Sequence, residues 1–397
     1  MTEKLYENNV LLKSCTSKVL ACQEKNGRYL VELDKTVFFP EGGGQLSDKG
    51  TLGGIKVEHV CEKEGHILHE CVQPLEIGST VEAVLDWKVR LDRMQQHLGE
   101  HLLSYACWKL FGANNVGFHM SEELVAIDLD KELTAEELQQ AELFTNEIIW
   151  DNRPVKISYV DSDEAAKLPM RKFNSKLKGL LRIVSVEGAD SCTCCGTHPP
   201  YTGMVGLVKV IRSDKHKQGV RVEFACGRRA LLDADAKNAV LLQTAAELSI
   251  KPIQVYDGVM RLKDELAATR EIVKNKTLQM LRYELQQAAE QAEKKADGTK
   301  IISIVTDDSK NIKPLFTLAG DYSDCICVIL AVQQERLSYA VTAGQNLQAD
   351  CREYIKVLNQ NFAGRGGGKP DCTQGGAAFC SDWQNRWLQV LQKMQAL

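Results

Sequence analysis

The chain has 397 residues, of which 44% are hydrophobic and 26% charged, and its formal net charge is −4 at pH 7. This length predicts two or three domains with their own hydrophobic cores, and the net charge does not by itself indicate a polyanion partner. No apolar run is long enough for a membrane span and no apolar segment follows the first residues, so we expect a soluble, cytoplasmic protein without a membrane partner. Fourteen dispersed cysteines indicate reduced thiols and a metal site rather than a disulfide framework.

The first two stretches of the chain differ in their pattern of apolar residues. Residues 1–88 alternate short strand-like segments with turn residues, which predicts a small β-barrel or sandwich. Residues 89–240 mix both patterns and predict an α+β domain. The predicted helices are 90–110 and 135–152, and the predicted strands are 19–22, 29–33, 36–39, 55–60, 67–70, 80–85, 123–129, 155–160, 180–186, 205–212 and 220–226.

The last two stretches are a helical segment and a mixed domain. In residues 241–297, apolar side chains recur mostly three and four positions apart, as in a helical arm, and the stripe at 255–292 also predicts a homodimer. Residues 298–397 alternate predicted strands with predicted helices, which indicates a compact α/β domain. The strands are predicted at 301–306, 325–332 and 338–342, and the helices at 350–358 and 374–394.

Two pairs of metal-ligand residues have the same spacing. His97 and His101 lie in the first predicted helix, so their imidazoles project from one face. Cys194 and His198 follow a predicted strand and lie in a turn rich in glycine and proline. Together they form a His3Cys set that predicts one zinc ion per chain. A hydrogen-bonded or solvated histidine pair is the alternative for His97 and His101.

The choice of thiolate stays open at this stage. Cys192, Cys194 and Cys195 crowd one loop, and each is a candidate ligand. We favour Cys194 because it repeats the spacing of the histidine pair, and Cys195 is then a neighbouring or packed residue.

A basic run and two glycine-rich segments are candidates for contact with phosphates or a ligand. Residues 167–182 carry six lysines and arginines, Lys172 and Lys176 among them, and no acid; an ordinary solvated face is the alternative. Glycine permits positive φ and close approach of backbone N–H groups to an anion. The second glycine-rich segment interleaves Arg365 and Lys369 with Gly366, Gly367 and Gly368, which predicts a phosphate-backbone site; a plain tight turn is the alternative. The spacing does not fit a nucleotide-triphosphate loop.

The first glycine-rich segment contains Glu41, Gly42, Gly43, Gly44 and Gln45. Its polar ends flank a turn that permits close approach, and we expect these residues to line a pocket beside the zinc ion. A purely structural bend is the alternative.

These segments, taken in order, resemble the editing half of alanyl-tRNA synthetase. The resemblance rests on residues 38–48, 97–103, 194–198, 203–207 and 364–371 and spans nearly the whole chain. A class II catalytic domain does not fit ahead of residue 38. The chain therefore resembles the free-standing alanyl-tRNA editing proteins of the AlaX type, in the long form with a C-terminal glycine-rich domain.

The resemblance implies an α+β multidomain fold in four parts. A translation-factor-like β-barrel is expected at residues 1–88 and a zinc-containing editing domain, of the type shared with threonyl-tRNA synthetase, at 89–240. A helical arm is expected at 241–297 and a glycine-rich tRNA-binding domain at 298–397. In this family the positions that match His97, His101, Cys194 and His198 hold zinc, and Thr197 is expected to line the substrate pocket.

The implied activity is hydrolysis of the aminoacyl ester of misacylated tRNA-Ala, with seryl-tRNA-Ala as the main substrate and glycyl-tRNA-Ala as a second candidate. Four protein ligands close a tetrahedral shell, which favours a positioning role for zinc. The chain departs from the synthetase pattern at Glu100 and around His119. Glu100 is a candidate to accept a proton from water or to contact the substrate amine, and His119 is a candidate catalytic residue near the site.

Two other functions start from the same residues. His97, Glu100 and His101 match an inverted-zincin signature, in which the glutamate is the general base of a metallopeptidase. That function requires neither the Cys194 and His198 pair nor the glycine-rich segments. A zinc-stabilised RNA-binding protein without catalytic activity is the remaining alternative.

Overall fold

A computed structural model describes residues 2–168, 170–171, 178–295 and 297–397. The chain divides into two compact units, Met1–Thr244 and Ala245–Leu397. Within the described ranges, no helix contains a stretch that is both long and apolar enough to cross a membrane.

The N-terminal part of the first unit is a closed ring of six antiparallel strands, paired in the order β2-β3-β7-β6-β5-β8 with β8 returning to β2. Its interior is filled by side chains such as Val31, Leu33, Val57 and Ile67. The predicted strands are confirmed except that the one at 36–39 ends at Thr36; a translation-factor-like barrel stays a prediction. The elements are β1 (Glu3–Lys4), α1 (Leu5–Asn8), β2 (Ser14–Lys25), β3 (Arg28–Leu33), β4 (Lys35–Thr36), β5 (Gly50–Leu52), β6 (Ile55–Lys63), β7 (His66–Cys71) and β8 (Thr80–Leu85).

The rest of the first unit is α+β, as predicted. A four-stranded antiparallel sheet of order β14-β15-β10-β9 packs against two helices, and a smaller sheet has the order β11-β12-β13. The elements are α2 (Trp87–Phe111), β9 (Asn115–Met120), β10 (Val125–Leu129), α3 (Ala135–Trp150), β11 (Val155–Asp161), α4 (Ser162–Ala165), β12 (Leu180–Val186), β13 (Ser191–Thr193), a 3-10 turn (Thr202–Val205), β14 (Val208–His216), β15 (Gly219–Cys226) and α5 (Gly227–Glu247).

Helix α2 is the element that carries the histidine pair. The Asp86 side chain caps its N-terminus by accepting hydrogen bonds from the backbone N–H groups of Lys88 and Val89, so the helix starts three residues before the predicted position. Gly112 ends it in the left-handed conformation at φ 66°. A Cβ at Gly99 would lie 2.2 Å from the sulfur of Cys226, so glycine lets the helix lie against β15.

The second unit contains a five-stranded sheet of order β16-β17-β18-β20-β19, with apolar clusters on both faces. Leu281, Leu285 and Ala289, near the end of α6, are buried against this sheet. The elements are a 3-10 turn (Pro252–Gln254), α6 (Val255–Gln291), β16 (Lys300–Thr306), a 3-10 turn (Ser309–Asn311), α7 (Ile312–Ala319), β17 (Cys325–Val332), β18 (Arg336–Ala343), α8 (Cys351–Phe362), β19 (Arg365–Gly368), β20 (Cys372–Ala378) and α9 (Trp383–Gln395).

Two predictions for the second unit were wrong. The expected helix at 374–394 is a strand up to Ala378 and a helix only from Trp383, because residues 372–378 pair with β18. The glycine-rich segment was expected to use positive φ, but it forms strand β19 at 365–368 without it; its contact with phosphates stays a prediction. Close contact requires glycine at Gly364, Gly366 and Gly368: a Cβ at Gly366 would lie 2.4 Å from the Cα of Gly375.

A fully buried ion pair joins α2 to the segment that follows the first glycine-rich loop. The Nε of Arg90 donates to both carboxylate oxygens of Asp48, at 3.0 and 2.9 Å, and its Nη2 donates to the carbonyl of Val37 at 2.7 Å. The same carboxylate accepts from the backbone N–H of Phe39 at 2.7 Å. Both charged side chains are inaccessible to solvent, so the charge of each must be compensated by the other.

We predict that Arg90→Leu lowers the free energy of unfolding of the first unit by about 3–5 kcal/mol, because it leaves a buried carboxylate unpaired. Lys156→Met is the control: its ion pair with Glu187 is exposed, and we expect a change within about 0.5 kcal/mol. Urea unfolding measures both. A loss below about 1 kcal/mol for Arg90→Leu would show that this pair does not hold the unit together.

Candidate metal centre and active site

Four side chains from two distant segments meet at one point of the first unit. His97 and His101 are one helical turn apart on α2, and Cys194 and His198 come from the loop after β13. One ligand atom from each lies within 4.8 Å of the ligand atoms of the other three. The Cys194 sulfur lies 3.4 Å from Nε2 of His97 and 3.3 Å from Nε2 of His198.

This donor set fits zinc. Zn–N and Zn–S bonds of about 2.0 and 2.3 Å at a tetrahedral angle place nitrogen and sulfur about 3.5 Å apart. The two sulfur–nitrogen distances at Cys194 agree with that value. Three imidazoles and one thiolate also form a ligand set that favours zinc over magnesium or calcium.

The second nitrogen of each histidine on α2 is held by a buried acceptor. His97 donates from Nδ1 to Oε1 of Gln45 at 2.8 Å, and His101 donates from Nδ1 to the Asp190 carboxylate at 3.1 Å. These bonds fix the tautomers that leave both Nε2 atoms free for a metal. The Nδ1 of His198 has no partner among the described residues.

Gln45 joins three parts of the site. Besides its bond to His97, its Oε1 accepts from the backbone N–H of Thr197 at 2.9 Å, and its Nε2 donates to the Thr197 hydroxyl at 2.7 Å. Gln45 is fully buried and Thr197 nearly so. Both were predicted to line the substrate pocket. Neither belongs to the described lining of the cavity at the ligands, and Gln45 instead holds the His97 ring.

Cys194, and neither neighbouring cysteine, meets the three imidazoles. Cys192 is buried with its sulfur 3.2 Å from Nδ1 of His101, on the side of Asp190, and Cys195 is exposed. Burial raises the pKa of the Cys194 thiol, but His97 and His198 outweigh it and hold that pKa well below its ordinary value. A low pKa favours the thiolate, which is the form that binds a metal.

An ion pair supports the Asp190 side of the site. Arg171 donates from Nε and Nη2 to the two Asp190 oxygens at 2.7 and 3.1 Å, and both side chains are buried. Burial would raise the pKa of Asp190, but His101 and Arg171 lower it to about 2. The Asp190 carboxylate is therefore ionised near neutral pH and holds the proton of His101 on Nδ1.

The loop that carries Cys194 is fixed through its backbone. Arg182, on β12, donates from Nη1 to the carbonyls of Cys194 and Gly196 at 2.7 and 2.9 Å. A Cβ at Gly196 would lie 2.2 Å from Cε1 of His97 and 2.8 Å from Oε1 of Gln45. Glycine is therefore required where this loop passes the His97 ring.

A cavity of about 680 Å³ opens onto these ligands. Its lining includes His97, His101 and Cys194 on one side and Glu41, Gly42 and Gly43 of the first glycine-rich loop on another. Gly43 and Gly44 have positive φ, at 60° and 81°, which agrees with the predicted tight turn. The described lining does not include Gly44, Gln45 or Thr197.

Glu100 lies in this cavity beside the metal-ligand group. Its Oε1 accepts hydrogen bonds from Asn115 and Ser104 at 2.6 and 2.7 Å, and its Oε2 lies 3.8 Å from Nε2 of His101. Asn115 also lines the cavity. Oε1 is thus anchored, and Oε2 faces the metal-ligand residues. This arrangement suits proton transfer or the binding of an amine.

The other predicted site residues lie elsewhere. His119 is half-exposed, bonded to Asp128 at 2.9 Å, and lines a neighbouring cavity with Gly44 and Gln45 rather than the one at the ligands. Arg365 and Lys369 are exposed in the second unit. Lys172 and Lys176 fall outside the described residues.

Sequence reasoning missed Asp190, Arg171 and Asn115. A carboxylate close before the cysteine cluster was a usable signal for Asp190. Arg171 was assigned to a basic phosphate-binding or solvated run, whereas it is buried against Asp190. No local signal marks Asn115, because its contact with Glu100 depends on β9, which was not predicted.

Comparisons with known proteins identify the family of this chain. The family described as the threonyl and alanyl tRNA synthetase second additional domain matches residues 181–223, which include Cys194 and His198. The alanyl-tRNA editing protein AlaX-L of Pyrococcus horikoshii is 30% identical over 389 residues, covering 94% of each chain. The chain belongs to the AlaX family of alanyl-tRNA editing proteins.

Two further relatives extend the comparison. The alanyl-tRNA editing protein Aarsd1 of Danio rerio is 28% identical over 373 residues, covering 89% of this chain and 87% of that protein. An alanine–tRNA ligase of Pyrococcus abyssi is 27% identical over 391 residues, and this AlaX-family chain spans 42% of its length. The C-Ala domain of Aquifex aeolicus alanyl-tRNA synthetase matches 27% of the chain at 15% identity and a TM-score of 0.24, too weak a likeness to support an argument.

We predict that Gly196→Ala weakens zinc binding by about 10- to 100-fold, the effect typical of disturbing the residues around metal ligands. The new methyl group displaces the His97 ring from its bond with Gln45. Gly42→Ala is the control, because the nearest atom to its Cβ would be 3.9 Å away. Competition with a chromogenic chelator measures both affinities. Equal affinities would show that the loop adjusts without moving His97.

Proposed function

We propose that this AlaX-family protein is a hydrolase that acts in trans on misacylated tRNA-Ala, removing serine and, as a second substrate, glycine. The observation that supports this most directly is the ligand group of His97, His101, Cys194 and His198, three of which line a cavity that also contains Glu100. Its membership of an editing family and the alanyl-tRNA names of its relatives agree with the proposal.

We propose that these four residues hold one zinc ion. When bound, zinc supplies a positive charge that orients the 3′ end of the tRNA or a water molecule. Because four protein ligands complete a tetrahedral shell, the chemistry depends chiefly on positioning, and an aminoacyl ester is labile enough for positioning to suffice.

Glu100 is the residue best placed to assist the reaction. In the hydrolysis, water attacks the ester carbonyl, the bond from that carbon to the ribose oxygen breaks, and the ribose hydroxyl and free amino acid leave. The anchored carboxylate of Glu100 accepts a proton from the water and returns it to the ribose oxygen as the ester bond breaks, or it holds the substrate ammonium group. Asn115 and Ser104 keep it in place.

Selection of serine over alanine requires a polar partner for the serine hydroxyl, because a site built around that hydrogen bond disfavours a substrate that lacks it. Glycine lacks the hydroxyl too, so we expect glycyl-tRNA-Ala to react more slowly than seryl-tRNA-Ala. The polar groups that line the cavity include Glu41, Asn115 and Thr193. We propose that this rim, rather than buried Thr197 and Gln45, contacts the side chain of the amino acid.

The remaining roles follow the same proposal. The first unit contains the strand ring at 1–88, proposed to be a translation-factor-like barrel, and the editing domain at 89–240. Residues 241–297 are proposed to form an arm that supports a homodimer, and residues 298–397 a tRNA-binding domain that uses Arg365–Gly368 and Lys369. We propose a cytoplasmic location, in keeping with a role in translation.

Hydrolysis of defined substrates tests the proposal. We predict that the zinc-loaded protein releases serine from seryl-tRNA-Ala and leaves alanyl-tRNA-Ala at least about 100-fold less affected, as expected when a buried polar group loses its partner. Glycyl-tRNA-Ala and casein are assayed in parallel. Cleavage of casein would instead support the inverted-zincin alternative, and tRNA binding without hydrolysis would support a non-catalytic RNA-binding protein.

We predict that Glu100→Gln lowers the rate of deacylation at saturating tRNA by about 10²- to 10⁴-fold, the usual contribution of a general acid or base. Zinc content remains at one ion per chain, since glutamine keeps the hydrogen bonds of the anchored oxygen. His119→Gln is the control, because His119 lies outside the described lining of the cavity. An unchanged rate for Glu100→Gln would restrict Glu100 to a structural role.

A further inference from the structure

A second cavity of the first unit, about 430 Å³ in volume, has a strongly cationic lining. It lies between the start of α2, the start of α5 and residues near the first glycine-rich loop. No role has been assigned to it above. Five basic residues line it: Lys49, Lys88, Arg93, Arg228 and Arg229.

The two carboxylates of this cavity are already paired. Asp92 accepts two hydrogen bonds from Arg229, at 2.8 and 2.7 Å, and Glu122 is bonded to Lys49. Neither Lys88 nor Arg228 has a carboxylate partner among the described residues, and both are exposed at the rim. The lining therefore keeps an excess of positive charge that a bound anion would offset.

Arg93 is the unusual member of the group. It is 4% exposed, yet its Nη1 has no hydrogen-bond partner among the described residues, and its Nη2 approaches Glu122 only to 3.9 Å. Arg90, one turn earlier on the same helix, is equally buried but fully paired. Burial lowers the pKa of Arg93 against the opposing effect of Asp48 and Glu122. A buried guanidinium nitrogen without a hydrogen-bond partner is costly, which favours a site built for an external anion.

The position of Arg93 connects this cavity to the ligand group. Arg93 precedes His97 by four residues, so both side chains lie on one face of α2, about 6 Å apart along the helix axis. Arg93 and Glu122 also line a further cavity that contains Glu41, and Glu41 lines the cavity at the ligands. Shared lining residues therefore make the three cavities neighbours beside the first glycine-rich loop.

We infer that this cationic cavity binds a phosphate group of the RNA backbone, with Arg93 at its centre and Lys88 and Arg228 at its rim. The inference rests on the proposed function, because it makes the bound RNA run along α2 toward His97. It assigns phosphate recognition to the first unit itself, separately from the glycine-rich strand of the second unit.

The salt dependence of RNA binding tests this inference without any chemistry. The full-length zinc-loaded protein is titrated with a fluorescent, uncharged tRNA-Ala transcript at several salt concentrations. We expect Arg93→Gln to weaken binding and to reduce the slope of log affinity against log salt by about 0.7–0.9, the loss of one phosphate contact. Lys88→Gln and Arg228→Gln, at the exposed rim, are expected to act in the same direction. They keep the test decisive if Arg93→Gln fails to fold.

The control is Lys25→Gln, since Lys25 is an exposed lysine at the end of β2 and should leave the slope unchanged. Wild-type slopes for all three cavity variants would overturn the inference. Inorganic phosphate that raises the melting temperature of the wild type but not of Arg93→Gln, with RNA slopes unchanged, would also overturn it, because the site would then take a free anion. Reduced slopes without hydrolysis of seryl-tRNA-Ala would support the cavity and contradict the proposed function.

Discussion

The buried ion pair between Arg90 and Asp48 is the constraint on which the site depends. It fixes the start of α2 against the segment that ends the first glycine-rich loop. Because this ion pair holds the helix and the end of the loop together, the Gln45 side chain can contact both His97 and Thr197. Two charges inaccessible to solvent are costly unless paired, so the pair favours one position of the loop along the helix and therefore one orientation of the His97 ring.

The ligand residues are oriented by a shell of groups from separate parts of the first unit. Gln45 comes from the glycine-rich loop, Asp190 from the turn before β13 and Arg182 from β12. Each of these hydrogen bonds orders a ligand residue or its backbone, which would otherwise become ordered only when the metal binds. A site arranged in advance is consistent with a zinc ion that positions its substrate, since such a role depends on geometry more than on exchange of ligands.

Sequence alone predicted the parts of the fold and site that depend on local pattern. Helix α2 and the spacing of the two ligand pairs are local, so His97, His101, Cys194 and His198 could be named together. The roles of Gln45 and Arg171 could not, because they depend on contacts across long stretches of chain. The glycine-rich segment at 365–368 was expected to use positive φ, whereas glycine there allows close strand pairing instead, and the sequence does not distinguish these two uses.

The central claim is that one zinc ion is held by three imidazoles and the Cys194 thiolate. X-ray absorption at the zinc edge, on the full-length protein with one equivalent of zinc, tests it most directly. We expect one sulfur at about 2.3 Å and three nitrogens at about 2.0 Å, and loss of the sulfur signal in Cys194→Ala but not in Cys195→Ala. Two sulfur ligands, or a sulfur signal that persists in Cys194→Ala, would contradict the account.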